Sequence, residues 1–150
     1  MTPLAPLTDL APGARLARGV SRMLWARGFV SLAELPVGKG LRVDVMGLGP
    51  KGEVWIVECK SCRADFRADH KWQGYLDWCD RFFWAVDADF PDEILPETAG
   101  LIRADGWDAE ILRMPAAVPL AGARRAALTR AFARSAAARL NGWADPGLPG

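Results

Sequence analysis

Three runs rich in β-branched and aromatic residues, Phe29 to Leu35, Leu41 to Leu48 and Val54 to Cys59, follow one another with only glycine-bearing turns between them. Gly38 and Gly40 separate the first two, and Gly49-Pro50-Lys51-Gly52 separates the second pair. Parallel strands need a long crossover, so runs joined this tightly must pair antiparallel. The third run is apolar at consecutive positions, Val54-Trp55-Ile56-Val57, which predicts a central strand covered on both faces. A chain with such a strand is committed to a sheet with helices packed on it.

The flanking sequence supplies those helices. From Pro12 to Gly28, Leu16, Val20, Met23 and Leu24 recur at helical spacing, Gly28 sits where helices end, and Arg15, Arg18, Arg22 and Arg27 line the outer face. A second helix is predicted from Asp65 to about Arg81, burying Trp72, Leu76, Cys79 and Phe83. Phe82 to Val86 reads as another buried strand and Asp92 to Pro96 as a brief helical turn. Gly100 to Gly106 and Ala109 to Arg113 read as a last hairpin. A Pro/Ala linker, Met114 to Leu120, leads to a basic helix over about Ala121–Leu140, with Leu128, Phe132 and Leu140 as packing residues. The expected order is αβββαβββα: a mixed α/β fold in one domain over residues 1–150, with residues 1–10 and 141–150 as loosely ordered tails.

Composition removes several functions. The 19 Lys+Arg against 18 Asp+Glu give a net charge of +1, which excludes a polybasic nucleic-acid binder but not a nuclease. By segment the charge is +4 over residues 1–52, −7 over 53–113 and +4 over 114–150, so the neutral total is a cancellation. That distribution predicts an acidic centre with phosphate-binding margins. Met1 to Pro6 lacks a secretory n-region and h-region, and no apolar run is long enough to span a membrane. Three cysteines, Cys59, Cys62 and Cys79, fit reduced thiols and a cytoplasmic location.

Chemistry concentrates at the end of the hairpin. Asp44 lies on the second run, and Glu58-Cys59-Lys60 ends the third. Strand side chains alternate, so Glu58 and Lys60 project together while Cys59 faces the other way. With Asp44 paired near Glu58, two carboxylates and an ammonium converge. The carboxylates and the Cys59 backbone carbonyl are hard oxygen donors that suit Mg²⁺, and Lys60 suits a water or a developing negative charge. The other reading of the same residues is a solvated Asp and a surface Glu/Lys pair.

Asp44, then Glu58-x-Lys60, then a helix bearing Gln73 and Tyr75 resembles the PD-(D/E)xK nuclease superfamily. A narrower likeness is carried by Arg42-Val43-Asp44-Val45, by Lys51 through Lys60, by Lys71-Trp72 and Tyr75, and by Cys79 through Val86. It continues through Phe90-Pro91, Leu95-Pro96 and Gly100 to Asp105. Over about residues 12–114 this resembles the MmcB-like DNA-repair family. The resemblance implies a restriction-endonuclease-like αβββαβ core with an extra C-terminal hairpin and basic helix. It implies a bacterial DNA endonuclease with Asp44 and Glu58 as ligands of Mg²⁺ or Mn²⁺, and Lys60 as catalytic lysine. Its implied partners are DNA, other repair proteins and a second copy of the chain. Relatives often add a Glu from the first helix; residues 12–28 contain no acid, which leaves Glu34 as the nearest substitute. The alternative is a catalytically weak nuclease-fold module that binds damaged or branched DNA or a repair partner.

Further DNA contacts are expected at Arg42, Gln73, Lys71 and Tyr75, with Lys71 on a phosphate and Tyr75 either stacking on a base or sitting in the core. Asp65 and Asp69 read as first-turn acids. Arg124 and Arg125 open a helix that also carries Arg130, Arg134 and Arg139, either a DNA-backbone clamp or a solvated face. The three cysteines and His70 form a weaker, zinc-like set.

Overall fold

The computed structural model describes residues 9–63, 66 and 72–149. Helix α1 (Pro12–Ala26) leads into strands β1 (Val30–Gly38), β2 (Leu41–Leu48) and β3 (Val54–Lys60). A 3₁₀ helix (Trp72–Trp78) precedes β4 (Arg81–Val86), and a single 3₁₀ turn (Asp92–Ile94) precedes β5 (Gly100–Ala104) and β6 (Ala109–Arg113). Helix α2 (Gly122–Ala144) closes the chain. The strands form one sheet in the order β1-β2-β3-β4-β5-β6. β1, β2 and β3 pair antiparallel, β3, β4 and β5 pair parallel, and β6 returns antiparallel to β5. This is the mixed sheet flanked by helices that the glycine-fenced runs demand.

Every residue of β3 is buried. On one face, Leu16, Val20 and Leu24 of α1 meet Trp55, Val57, Phe83 and Ile102. On the other, Val54, Ile56, Phe82 and Trp84 meet Tyr75 of the 3₁₀ helix and Leu128 and Phe132 of α2. Each fully buried apolar side chain contributes about 1.5–3 kcal/mol, so the two-sided cover of β3 dominates the fold's stability.

The segment before β4 differs from expectation. The described helix is 3₁₀, ends at Trp78, and Arg81 already belongs to β4. Its apolar residues Trp72, Tyr75 and Trp78 fall at intervals of three, the repeat of a 3₁₀ helix, and all turn toward the sheet. Leu76, expected in the core, is 45% exposed for the same reason. Asp65, Asp69, His70 and Lys71 lie outside the described residues. At the C-terminus, α2 runs to Ala144 through part of the expected tail, and Leu140 is exposed rather than packed. Among the described residues no helix is long and apolar enough to cross a membrane.

Candidate active site

The β2–β3 ladder runs from Leu48↔Val54 to Val45↔Val57 and stops there. Beyond it the backbone amides are satisfied by carboxylates. The Asp44 N–H donates to Glu58 Oε1 at 3.0 Å, and the Cys59 N–H donates to Asp44 Oδ2 at 2.8 Å. The two acids therefore bracket each other across strands that have stopped exchanging ladder bonds.

A break in alternation accompanies this bracket. Val43 packs in one core and Val45 in the other, although residues two apart on a regular strand share a face. In β1, Glu34 adopts φ +54°, left-handed backbone uncommon for a residue with a side chain. β1 and β2 pair at Ala33↔Val45 and Leu35↔Val43, which sets Glu34 and Asp44 at the same level. Both strands are kinked where the acids lie, and strain of this kind concentrates at functional positions.

Glu58 is 4% exposed and Lys60 8% exposed. Lys60 Nζ lies 5.9 Å from the Trp84 ring centre. Burial, then the Asp44 charge and a hydrogen bond between the two side chains, push the Glu58 carboxyl up to about 9, against which the Asp44 amide bond and Lys60 pull down. Two carboxyl groups this close in a desolvated site oppose each other's ionisation. Burial and the same two acids also raise the Cys59 thiol well above its ordinary value, so it stays protonated in the α1-side core.

A cleft of about 860 Å³ opens over these groups, lined by Glu34, Arg42, Asp44, Glu58, Cys59 and Lys60. The sequence-predicted trio thus shares one cavity with Glu34, Arg42 and Cys59. Tyr75, Gln73, Arg124 and Arg125 separate from it. Tyr75 is 7% exposed and donates its hydroxyl to the Arg42 carbonyl at 2.9 Å. It is a core residue that ties the 3₁₀ helix to β2 and has no open face for a base. Gln73 is exposed but does not line the cleft.

Arg124 stacks 4.2 Å over Trp78 and donates to the Asp77 carbonyl. Arg125 clasps both Asp80 oxygens at 2.7 and 2.6 Å and the Gly52 carbonyl at 2.8 Å. These two arginines brace α2 against the sheet, which corrects their assignment as a DNA clamp. Glu34 reaches the rim of the same cleft as Asp44 and Glu58, and among the described residues no three His, Cys, Asp or Glu side chains form a group that could hold a metal. The cysteines divide likewise: Cys59 and Cys79 lie in opposite cores and Cys62 is exposed, so they form no zinc set.

Two further arginines line the cleft, Arg139, which the sequence offered only within a helix-wide clamp or solvated face, and Arg18, which it read as part of an outer helix face. Arg139 of α2 lines it and donates to the Glu34 carbonyl at 3.2 Å, and Arg18 of α1 lines it from the opposite side. Both were visible as members of acid-free arginine faces; which arginine meets the acids depends on where each helix docks.

The family model for MmcB-like DNA repair proteins matches residues 8–147. The chain belongs to the MmcB-like DNA repair protein family. Among solved structures, a protein of unknown function from Silicibacter pomeroyi is 62% identical, with a TM-score of 0.92 over 95% of this chain and 97% of that one. None of the curated proteins matches the chain significantly. The family places this MmcB-like protein in DNA repair.

Proposed function

We propose that the protein is a nuclease that hydrolyses phosphodiester bonds in DNA with Mg²⁺ or Mn²⁺ held by Asp44 and Glu58. The carrying observation is the reciprocal Asp44–Glu58 bracket, with Lys60 two residues further along the same strand in the same cleft. The donor set fits such an ion: two carboxyls crowd a buried site, and a divalent cation would take the place of the proton that otherwise keeps Glu58 neutral. The carbonyl of Cys59, which follows Glu58 in the chain and donates its N–H to Asp44, supplies a third oxygen in this reading. When bound, the ion would acidify a water and neutralise charge on the phosphate.

The chain's own residues divide the rest of the work. The Cys59 N–H fixes one Asp44 oxygen. Glu58 is oriented by the Asp44 amide. The Lys60 ammonium, embedded beside Trp84, orients the attacking water or steadies the equatorial phosphate oxygens. Arg42 and Arg139 stand at the rim, where flanking phosphates would pass.

One observation favours a second reading, a DNA-binding module with feeble catalysis: among the described residues no third His, Cys, Asp or Glu joins the acid pair in a metal-holding group. A panel of nicked, flapped, branched and single-stranded DNAs decides between them. The nuclease reading expects metal-dependent cleavage that falls by at least about 100-fold in Asp44→Asn and in Lys60→Ala. Binding without cleavage by the wild-type protein, or cleavage indifferent to both substitutions, would sink it.

A further inference from the structure

The cleft does not end at the acids. A second depression, lined by Arg18, Ser21, Arg22, Trp25 and Val30, shares Arg18 and Ser21 with it, so the two form one groove between α1 and the edge strand β1. Ala14, Arg18, Ser21 and Trp25 recur at intervals of four, three and four, one stripe along α1. At 1.5 Å per residue this stripe is about 16 Å long, room for a few nucleotides.

The α1 wall of the groove is basic, through Arg18 and Arg22. From residue 12 to 28 the chain carries Arg15, Arg18, Arg22 and Arg27 and no acid. Arg18 and Arg22 lie 4.8 and 5.8 Å from the Trp107 ring centre, and Arg22 Nε donates to the Trp107 carbonyl. Both guanidinium groups are thereby held at the surface in set positions. At the far end Trp25 is 73% exposed beside Val30, which is 44% exposed. An indole standing in water next to ordered arginines adds nothing to the core and presents a flat face.

We infer that this groove is a track for single-stranded DNA, which passes its phosphates along the α1 arginines, stacks a base on Trp25 and enters the acid cleft. Arginines alone would suit a duplex equally well. Trp25 decides the substrate class, because only an unpaired base offers a face for stacking. The inference rests on the nuclease reading for what happens at the end of the track, but binding along it does not.

The test is fluorescence anisotropy in EDTA, with a labelled oligothymidylate and a duplex of the same length. The oligothymidylate should bind more tightly than the duplex. Trp25→Ala should weaken it by about fivefold to a hundredfold, the loss of one stacked base. Trp25→Phe should retain most of the affinity. Leu76→Ala, which truncates an exposed apolar residue on the other side of the sheet, should leave it unchanged. Tighter binding of the duplex, or wild-type affinity in Trp25→Ala, would overturn the inference. Cleavage assayed separately in Mg²⁺ keeps the two readings apart: Trp25-dependent binding with no cleavage refutes the nuclease and supports the track. Cleavage dependent on Asp44 and Lys60 with Trp25-independent binding does the reverse.

Discussion

Glu58 is the residue on which the site's physics turns. A carboxyl raised from 4.5 to about 9 holds its proton in the folded chain at pH values where the unfolded chain has lost it. Its contribution to stability is therefore complete below about pH 4.5 and drains away as the pH climbs toward 9. Glu58→Gln keeps the shape and an acceptor for the Asp44 amide but cannot ionise. In EDTA at pH 8 it should be more stable than wild type by about 1–3 kcal/mol in urea, while the two proteins converge near pH 4. Equal stability at both pH values would show that Glu58 is ionised and comfortable without a cation. The same substitution removes a ligand, so the stabilised protein should be inactive, the trade that functional acids impose.

At the scale of elements, two contacts decide how helices sit on the sheet. Gly19 in the middle of α1 is buried against the β5–β6 turn: a Cβ there would fall 2.6 Å from the Asp108 carbonyl oxygen and closer still to that of Asp105. Backbone cannot yield as a side-chain tip can. Gly19→Ala should cost about 1–3 kcal/mol of stability despite alanine's better helix propensity, measured as a lower urea midpoint at unchanged slope. Because α1 also carries Arg18, DNA affinity should fall with it. The second contact is Asp80, between the 3₁₀ helix and β4. It accepts from the Val54 and Leu120 amides as well as from Arg125, pinning the start of β3, the linker and α2 together. Burial pushes its carboxyl up, but these hydrogen bonds outweigh that and leave it at about 2. The stability it adds is present above about pH 3.8 and is lost as pH falls through 2. Asp80→Asn should remove about 2 kcal/mol at pH 7 and little at pH 2, read from thermal midpoints across that range.

For the molecule as a whole, the segment charges are +4, −7 and +4, and the fold brings Arg18 of α1 to the cleft that holds the acids. The C-terminal share works differently. Arg125 is consumed in bracing α2, and Arg139, at the other end of that helix, reaches the rim. If the acid pair is a cation site, Mn²⁺ should raise the melting temperature of the wild-type protein. At a hundredfold excess over its dissociation constant a ligand adds about 3 kcal/mol. Glu58→Gln should show little of that rise, and a rise of the same size in that variant would place the cation elsewhere.

The sequence by itself determined the antiparallel half of the sheet and where its two acids and lysine fall. Glycine-fenced turns leave antiparallel pairing as the only short connection, a run of consecutive apolar residues must be covered on both faces, and strand alternation puts Glu58 and Lys60 together. These are local rules, and they placed β1 to β3, both hairpins and the Asp44–Glu58–Lys60 trio. What only the tertiary structure decided were matters of docking. Tyr75 reads equally well as a base platform or a core residue until Phe82 and the Arg42 carbonyl close over it. The 3₁₀ repeat at Trp72, Tyr75 and Trp78 replaces the α-helical one because three aromatics must reach a single sheet face. Five similar arginines on α2 acquire different work, since a guanidinium's role is set by the partner that long-range packing brings within about 3 Å, and spacing along the chain carries no record of that.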